Sequence, residues 1–439
     1  MGIIEERGER TKWFMEARFG MFIHWGLYAI PGRGEWVQSD EQITREEYTK
    51  YFDEWDPVRY DPGEWARAAR EAGMKYAVLT AKHHEGFCLF DSRYTDYKST
   101  NTRYRRDLVR EFTEAFRAEG LKVGFYYSLL DWHHPDYPAY GDMYHPERNN
   151  EACRGKEHDF NNYLTYMHNQ VRELMTEYGK IDLLWFDFSY EGHTGHDWRG
   201  EELIEMVRAL QPGIIINGRL EANGENYGSV MTDDPNIFSG DFACPEMIIP
   251  PSGLKTPSGR QIPWEACFTL NNNWGYNPMD LHHKTAVQII KKLVECTSKN
   301  GNMIVNVSPT AKGEIPDWQL MVLSEVGRWM KRNGGSIYGC GSSGIEKPEW
   351  GRYTRKGNYL YAHIMEESIG AVALPGVKGR LKKARRLSDG FEMLKMTPWV
   401  AREFPDCEFI NYGTPECFSF SVEETADTVI ELELSPVAE

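Results

Sequence analysis

A chain of 439 residues is too long for one small module and fits a barrel of about 250 residues or more with a smaller unit attached. Asp and Glu number 66 against 50 Lys and Arg, a net charge of −16, which argues against nucleic acid or an anionic membrane surface as partner. Aromatic residues make up 13% of the chain, many of them beside polar clusters, which suits stacking on a neutral ligand as well as core packing.

The first ten residues, Met1 to Arg10, hold no apolar region of signal-peptide length, and no apolar run is long enough to span a bilayer. The chain is therefore expected to be soluble and cytoplasmic. Eight cysteines (Cys88, Cys153, Cys244, Cys267, Cys296, Cys340, Cys407, Cys417) are scattered without a CxxC pair and read as free thiols.

Residues 19–25 form the first strand candidate, with Phe22 and His24 on one face by the two-residue repeat. A loop through Pro31 and Gly34 leads to Glu35 and Trp36. Residues 64–72 are helix-prone and stop at Gly73; residues 76–82 then read as strand and run into His83-His84-Glu85-Gly86. A helix over 107–119, a strand over 123–128 and a long helix over 159–178 follow. The apolar run from Ile181 to Phe186 reads as a strand buried on both faces and ends on Asp187, with Trp185 on the same face. Helix 200–210 and strand 213–217 lead to Arg219. From 220 to 263 the chain is irregular, with Pro245, Pro250, Pro251 and Pro257 ruling out a long helix. A loop of that length in a compact domain is usually functional or disordered. Strand 267–270, helix 282–299, strand 303–308 and helix 317–332 complete about seven strand and helix units. Their alternation predicts a (β/α)8-like TIM barrel over 1–338.

Residues 339–350 read as a linker. They contain a GxGxxG match, but β-prone segments follow it where a dinucleotide fold needs a helix. Short alternating segments at 359–364, 370–374, 418–422 and 428–434 predict a small antiparallel β-sandwich over 351–439.

If the barrel is right, the strand ends bring His24, His83, His84, Tyr126, Asp187 and Arg219 to one rim, where barrels of this kind carry their reacting groups. A carboxylate nucleophile, imidazoles and a guanidinium to hold hydroxyls, and a second carboxyl as acid are what glycoside cleavage needs. A metal site built on His24, His83, His84 and Asp187 is the rival. It requires a turn at His83-His84, because neighbouring strand residues point to opposite faces, and no HExxH spacing supports it. His133-His134 reads as a loop pair and His282-His283 as a pair on a helix surface. A GxSxG nucleophile elbow is missing, which disfavours esterase chemistry.

Several motifs, in order, carry a resemblance: Phe22-Ile23-His24-Trp25-Gly26, Glu35-Trp36, Lys82-His83-His84-Glu85-Gly86-Phe87, Gly124-Phe125-Tyr126, Trp185-Phe186-Asp187, Trp264-Glu265 and Lys299-Asn300-Gly301-Asn302. Over about residues 10–340 the chain resembles the α-L-fucosidases of glycoside hydrolase family 29. That resemblance implies a retaining mechanism, no cofactor, and a fucosylated oligosaccharide or glycoconjugate as partner, and it leaves room for a homo-oligomer. Asp187 would be the nucleophile. Phe22, His24, Glu35, Trp36, His83, His84, Tyr126, Trp185, Arg219 and Trp274 would bind fucose, with Phe22 and Trp274 against its methyl group. Glu246, in a stretch similar to the family's GDFxxPE, is the expected acid/base; Glu265 and Asp241 are its rivals. Two positions depart from the usual pattern: Glu85, where Asp is commoner, and Phe188, where Gly is frequent. A barrel glycosidase for another 6-deoxy or galactose-configured sugar and a catalytically silent sugar-binding protein are the alternatives.

Overall fold

The computed structural model describes residues 2–190, 192–411, 419–420 and 426–436. Cys417 and most of the strand expected at 418–422 lie outside them. Seven strands, β1 (Phe19–Ile23), β2 (Tyr76–Lys82), β3 (Lys122–Ser128), β4 (Leu183–Asp187), β5 (Ile215–Ile216), β6 (Glu265–Thr269) and β7 (Asn302–Val307), pair in parallel in the order β5-β4-β3-β2-β1-β7-β6. Nine α-helices occur among the described residues: α1 (Ile3–Ala17), α2 (Val37–Asp40), α3 (Arg45–Glu54), α4 (Pro62–Glu71), α5 (Leu108–Ala118), α6 (Phe160–Glu177), α7 (Gly200–Leu210), α8 (Ala286–Ser298) and α9 (Asp317–Asn333).

The helix starts follow local chemistry. Asp61, Asp107 and Asp159 accept backbone N–H bonds at the starts of α4, α5 and α6, and Thr285 with Gln288 closes a capping box on α8. Helix α8 starts at residue 286, not at 282 as the sequence suggests. Asp280 gathers the backbone N–H groups of Asn272 and His282 and the side-chain amide of Asn273, which folds the preceding segment into a turn. The pair His282-His283 therefore lies off the helix, and His283 stacks on Trp318 at 3.6 Å. Helices α1 to α3 were not expected, although the capping box of Thr44 and Glu47 that opens α3 is legible in the sequence.

Along each strand the two-residue repeat sorts side chains. Leu184 and Phe186 face the helices, whereas Leu183, Trp185 and Asp187 face the barrel interior, where Phe22, Val78, Tyr126, Ile215, Phe242 and Ile304 complete the packing. Phe14 of α1 enters the same cluster and packs on Tyr76 and Phe242, so α1 closes the lower end.

Regular alternation fails between β5 and β6, where no α-helix intervenes. Residues 241–247, expected as part of an irregular loop, run between these two edge strands. Asp241 N–H donates to Ile216 O at 2.6 Å and Gly218 N–H to Phe242 O at 2.9 Å; on the other side Glu265 N–H donates to Ala243 O at 2.9 Å and Met247 N–H to Cys267 O at 3.0 Å. This segment fills the eighth place of the (β/α)8-like barrel as an imperfect strand. Pro245 cannot donate, but an irregular stave needs fewer ladder bonds.

The carboxyl-terminal region forms antiparallel sheets from β8 (Gly341–Ser342), β9 (Gly351–Lys356), β10 (Tyr359–Ile364), β11 (Ser368–Ile369), β12 (Val372–Leu374), β13 (Leu381–Arg386), β14 (Leu394–Met396), β15 (Glu408–Asn411), β16 (Ser419–Phe420) and β17 (Thr428–Leu434). A five-stranded sheet, β13-β17-β10-β9-β8, and a three-stranded sheet, β12-β15-β14, share a core that includes Leu360, Ile364, Val372, Ile410 and Ile430. The stretch expected as linker thus contributes Gly341–Ser342 to the larger sheet. Arg352 on β9 pairs with Glu295 on α8 at 2.8 Å, tying the sheets to the barrel.

Glu265, the first residue of β6, sits low in the barrel and is fully buried. Its Oε2 accepts from the Tyr76 hydroxyl, and the Trp185 indole also lies against its carboxyl. Burial pushes its carboxyl up from 4.5 to about 8. Between those values the folded chain holds a proton that the unfolded chain releases, so this group's contribution to stability falls as pH rises through the window. Glu265→Gln removes that titration, and the variant is expected to gain thermal midpoint relative to wild type between pH 5 and pH 9. A difference that stays constant across that range would contradict the assignment.

Candidate active site

The upper end of the barrel collects the expected residues. Asp187 ends β4; its Oδ2 accepts from the Tyr126 hydroxyl at 2.8 Å and its Oδ1 from Arg219 Nη1 at 2.8 Å. The other terminal nitrogen of Arg219 donates to Glu246 Oε2 at 2.6 Å, and Trp274 Nε1 donates to Glu246 Oε1 at 3.1 Å. One guanidinium therefore holds both carboxylates. Burial works against its charge, but Asp187 and Glu246 together keep it protonated well above the ordinary range.

Beside this bridge lies a compact group of rings. His24 packs against His83, Tyr126 and Trp274 at 5.6, 5.4 and 5.0 Å, and His83 stacks on Tyr126 at 5.3 Å. Phe22 lies beneath, touching His24 and Trp274. His24 Nδ1 pairs with Asn306 Oδ1 at 2.7 Å while Asn306 Nδ2 donates to Trp274 O, so one amide ties the His24 ring to the backbone at Trp274. Burial lowers His24 to about 4 and holds His83 and His84 well below the usual imidazole range. At neutral pH all three are uncharged and can both donate and accept.

Both His83 and His84 reach the rim, with ring centroids 4.1 Å apart. A register irregularity between Thr80 and Lys82, opposite β3, turns the chain where a regular strand would send the two rings to opposite faces. His84 Nδ1 bonds Ser128 Oγ at 2.7 Å, whereas His83 Nδ1 has no partner among the described residues. Glu35 is buried, its carboxyl raised by that burial, and it accepts from Gly275 N–H at 2.7 Å; Trp36 packs on His84 and Phe188.

Trp185 is buried, and the Arg219 guanidinium lies over its ring at 4.6 Å, so one indole face supports the arginine. Asp241 sits at the start of the bridging stave, buried against Arg10 at 2.9 Å, Arg208 at 2.5 Å and Ile216 N–H, far along the chain's path from the rim. With Glu265 low in the barrel, the carboxylate that shares Arg219 with Asp187 is Glu246.

Asn306 and Ser128 escaped the sequence reading. Both lie on strand faces that alternate inward, and the register pairing Ser128 with Asp187 would have exposed the second had it been known. Glu85 holds the loop after β1: Leu27 N–H donates to its Oε1 at 2.8 Å and the Tyr48 hydroxyl to its Oε2 at 2.6 Å. Burial raises it to about 7. Phe188 follows the nucleophile candidate with a φ of 82°, a left-handed conformation costly for a bulky side chain, and its ring lies between Trp36, His84 and Tyr144.

A family profile described as α-L-fucosidase matches residues 5–335. The chain belongs to the α-L-fucosidase family. Among relatives of this family, tissue α-L-fucosidase of Rattus norvegicus is 30% identical, over 84% of this chain and 80% of that one. Among solved structures, α-L-fucosidase isoenzyme 1 from Paenibacillus thiaminolyticus superposes with a TM-score of 0.93 at 57% identity, over 98% of this chain and 100% of that one. A family 29 α-L-fucosidase from Bacteroides thetaiotaomicron, trapped as a covalent intermediate with 2-fluoro-fucosyl fluoride, matches with a TM-score of 0.81 at 31% identity, over 98% and 96%. The chain is thus a glycoside hydrolase of the α-L-fucosidase kind, with a curled parallel sheet followed by antiparallel sheets as in these neighbours.

The rim of this fucosidase rests on a buried ion pair. Lys82 Nζ bonds Asp131 Oδ2 at 2.9 Å with both side chains fully covered, and the other Asp131 oxygen takes the N–H groups of His133 and His134. The same loop returns a backbone bond from Trp132 N–H to His84 O. Lys82→Met leaves a buried carboxylate without its cation, a change that costs about 3–5 kcal/mol. Urea unfolding is expected to show a loss of that size, with the double variant Lys82→Met/Asp131→Leu recovering much of it.

Proposed function

We propose that this protein is a retaining, exo-acting α-L-fucosidase that releases terminal α-L-fucosyl residues from oligosaccharides or glycoconjugates through a covalent fucosyl-enzyme ester. The observation that carries the reading is the single guanidinium of Arg219 shared by Asp187 and Glu246, which keeps the two carboxylates close neighbours. Retaining enzymes hold their carboxyl groups about 5–5.5 Å apart, closer than inverting ones. The trapped covalent intermediate of the Bacteroides thetaiotaomicron enzyme supports the same route.

In this reading Asp187 attacks the anomeric carbon as Glu246 gives its proton to the leaving oxygen. Water, deprotonated by the same Glu246, then opens the ester and frees fucose with its configuration kept. Both Glu246 oxygens accept hydrogen bonds in the free enzyme, so its role as acid requires one of those contacts to be exchanged for the leaving oxygen. The Tyr126 hydroxyl and Arg219 meet the Asp187 carboxylate and fix its direction. Neutral His24, His83 and His84, with Glu35 and Trp36, offer bonds to the sugar hydroxyls. The unpartnered Nδ1 of His83 is a buried polar atom that a hydroxyl would satisfy. Phe22 and Trp274 supply an apolar corner for the C6 methyl group. Phe22, His24, Glu35, His83, His84 and Tyr126 are buried, forming a closed end suited to a terminal residue, while Glu246 stands exposed at its mouth.

Turnover of fucosylated oligosaccharides with anomeric analysis of the first product tests the reading directly: α-L-fucose as first product is expected, and β-L-fucose would refute retention. Asp187→Gly is expected to lose activity by at least about 10³-fold, as loss of a nucleophile does, with added azide restoring turnover as a fucosyl azide. In Glu246→Ala, activated aryl fucosides are expected to suffer far less than natural linkages; an equal loss on both would point to a different acid.

A further inference from the structure

A cavity of about 460 Å³ opens on the far side of the Arg219 bridge, within the size range of small-molecule sites. Asp187, Arg219 and Glu246 line it, but His24, Glu35, Trp36, His83, His84 and Tyr126 do not. The two reacting carboxylates thus stand at the boundary between two spaces. If fucose occupies the ring-lined side, the bond to be cleaved crosses that boundary, and the group beyond Glu246 enters the cavity.

The walls have a definite chemistry. Phe188 joins the two spaces, packing on Trp36 on one side and on Tyr144 at 4.7 Å on the other. Tyr144, Tyr190 and Tyr227 line the cavity with aromatic surface. Asn223 and Asn226 use their carbonyl oxygens on the loop's own backbone, accepting from Glu225 N–H and Gly228 N–H, which leaves their amide NH₂ groups as donors. Among the described charged residues of the lining, Asp187, Glu225 and Glu246 face a lone cation, Arg219. Aromatic faces with amide donors bind saccharides, and the acidic balance disfavours an anionic one.

We propose that this cavity is the leaving-group subsite and takes a neutral hexopyranose, the sugar to which fucose is attached, with Tyr227 and Asn226 as specificity-determining contacts. The proposal rests on the fucosidase reading. It is tested on the intact enzyme by comparing kcat/KM for a neutral fucosyl disaccharide with that for fucosyl fluoride, whose leaving group is one atom and cannot reach the subsite. The disaccharide-to-fluoride ratio is expected to fall about tenfold in Tyr227→Ala and in Asn226→Ala, the loss of one good contact. Asn226 is exposed, so its variant reads out even if Tyr227→Ala folds poorly. Glu225→Lys is expected to raise turnover of a disaccharide with a carboxylate on the leaving sugar relative to the neutral one. Ratios equal to wild type in both Asn226→Ala and Tyr227→Ala would overturn the subsite while leaving the fucosidase reading intact. A wild-type enzyme that consumes no fucosyl fluoride would overturn the fucosidase reading, and the subsite with it.

Discussion

The shared guanidinium of Arg219 is the constraint on which the site depends. Two carboxylates brought together repel each other, and a cation between them offsets that repulsion. Arg219 meets Asp187 with one nitrogen and Glu246 with the other, and its planar fork makes both bonds without straining either. Its own position is fixed from below by the Trp185 ring, which is held in turn by stacking on Tyr126. The chain of support runs from the barrel core through Tyr126, Trp185 and Arg219 to the carboxylate oxygens of Asp187 and Glu246.

Glu246 reaches that arginine only because the barrel is imperfect. A regular helix between β5 and β6 would have taken the residues that instead form the stave over 241–247. The stave is pinned at its lower end by Asp241, which engages Arg10 on α1 and Arg208 on α7, and along its length by backbone bonds to both edge strands. Its upper end delivers Glu246 to the rim. Asp241 and Glu246 sit five residues apart on one segment, yet one is a buried structural anchor and the other is exposed and lines a cavity, because the segment spans the height of the barrel.

Burial also sets the charge of the histidines. A protonated imidazole next to Arg219 would add repulsion. Burial keeps His24, His83 and His84 neutral, and the partners Asn306 and Ser128 orient the rings of His24 and His84. The buried carboxyl of Glu85 serves a different end: it ties the loop after β1 to α3 through Tyr48, which keeps the segment leading to Glu35 and Trp36 in place.

The alternation of strands and helices, the strand that ends on Asp187, and the set of polar groups at the strand ends are all legible in the chain. Those features are local: a two-residue repeat, a capping aspartate or a glycine stop is written within a few residues. Its motifs also carried the resemblance to the fucosidase family. Which carboxylate shares Arg219 with Asp187 emerges from the folded barrel alone. Asp241, Glu246 and Glu265 lie within 25 residues of one another, and nothing local separates an anchor low in the stave, a rim group and a carboxyl sealed in the barrel. Likewise the fold set the Trp185 ring against Arg219 and Asn306 beside His24. Those choices depend on register between strands distant in sequence, which is fixed by packing of the whole barrel and not by any stretch of the chain.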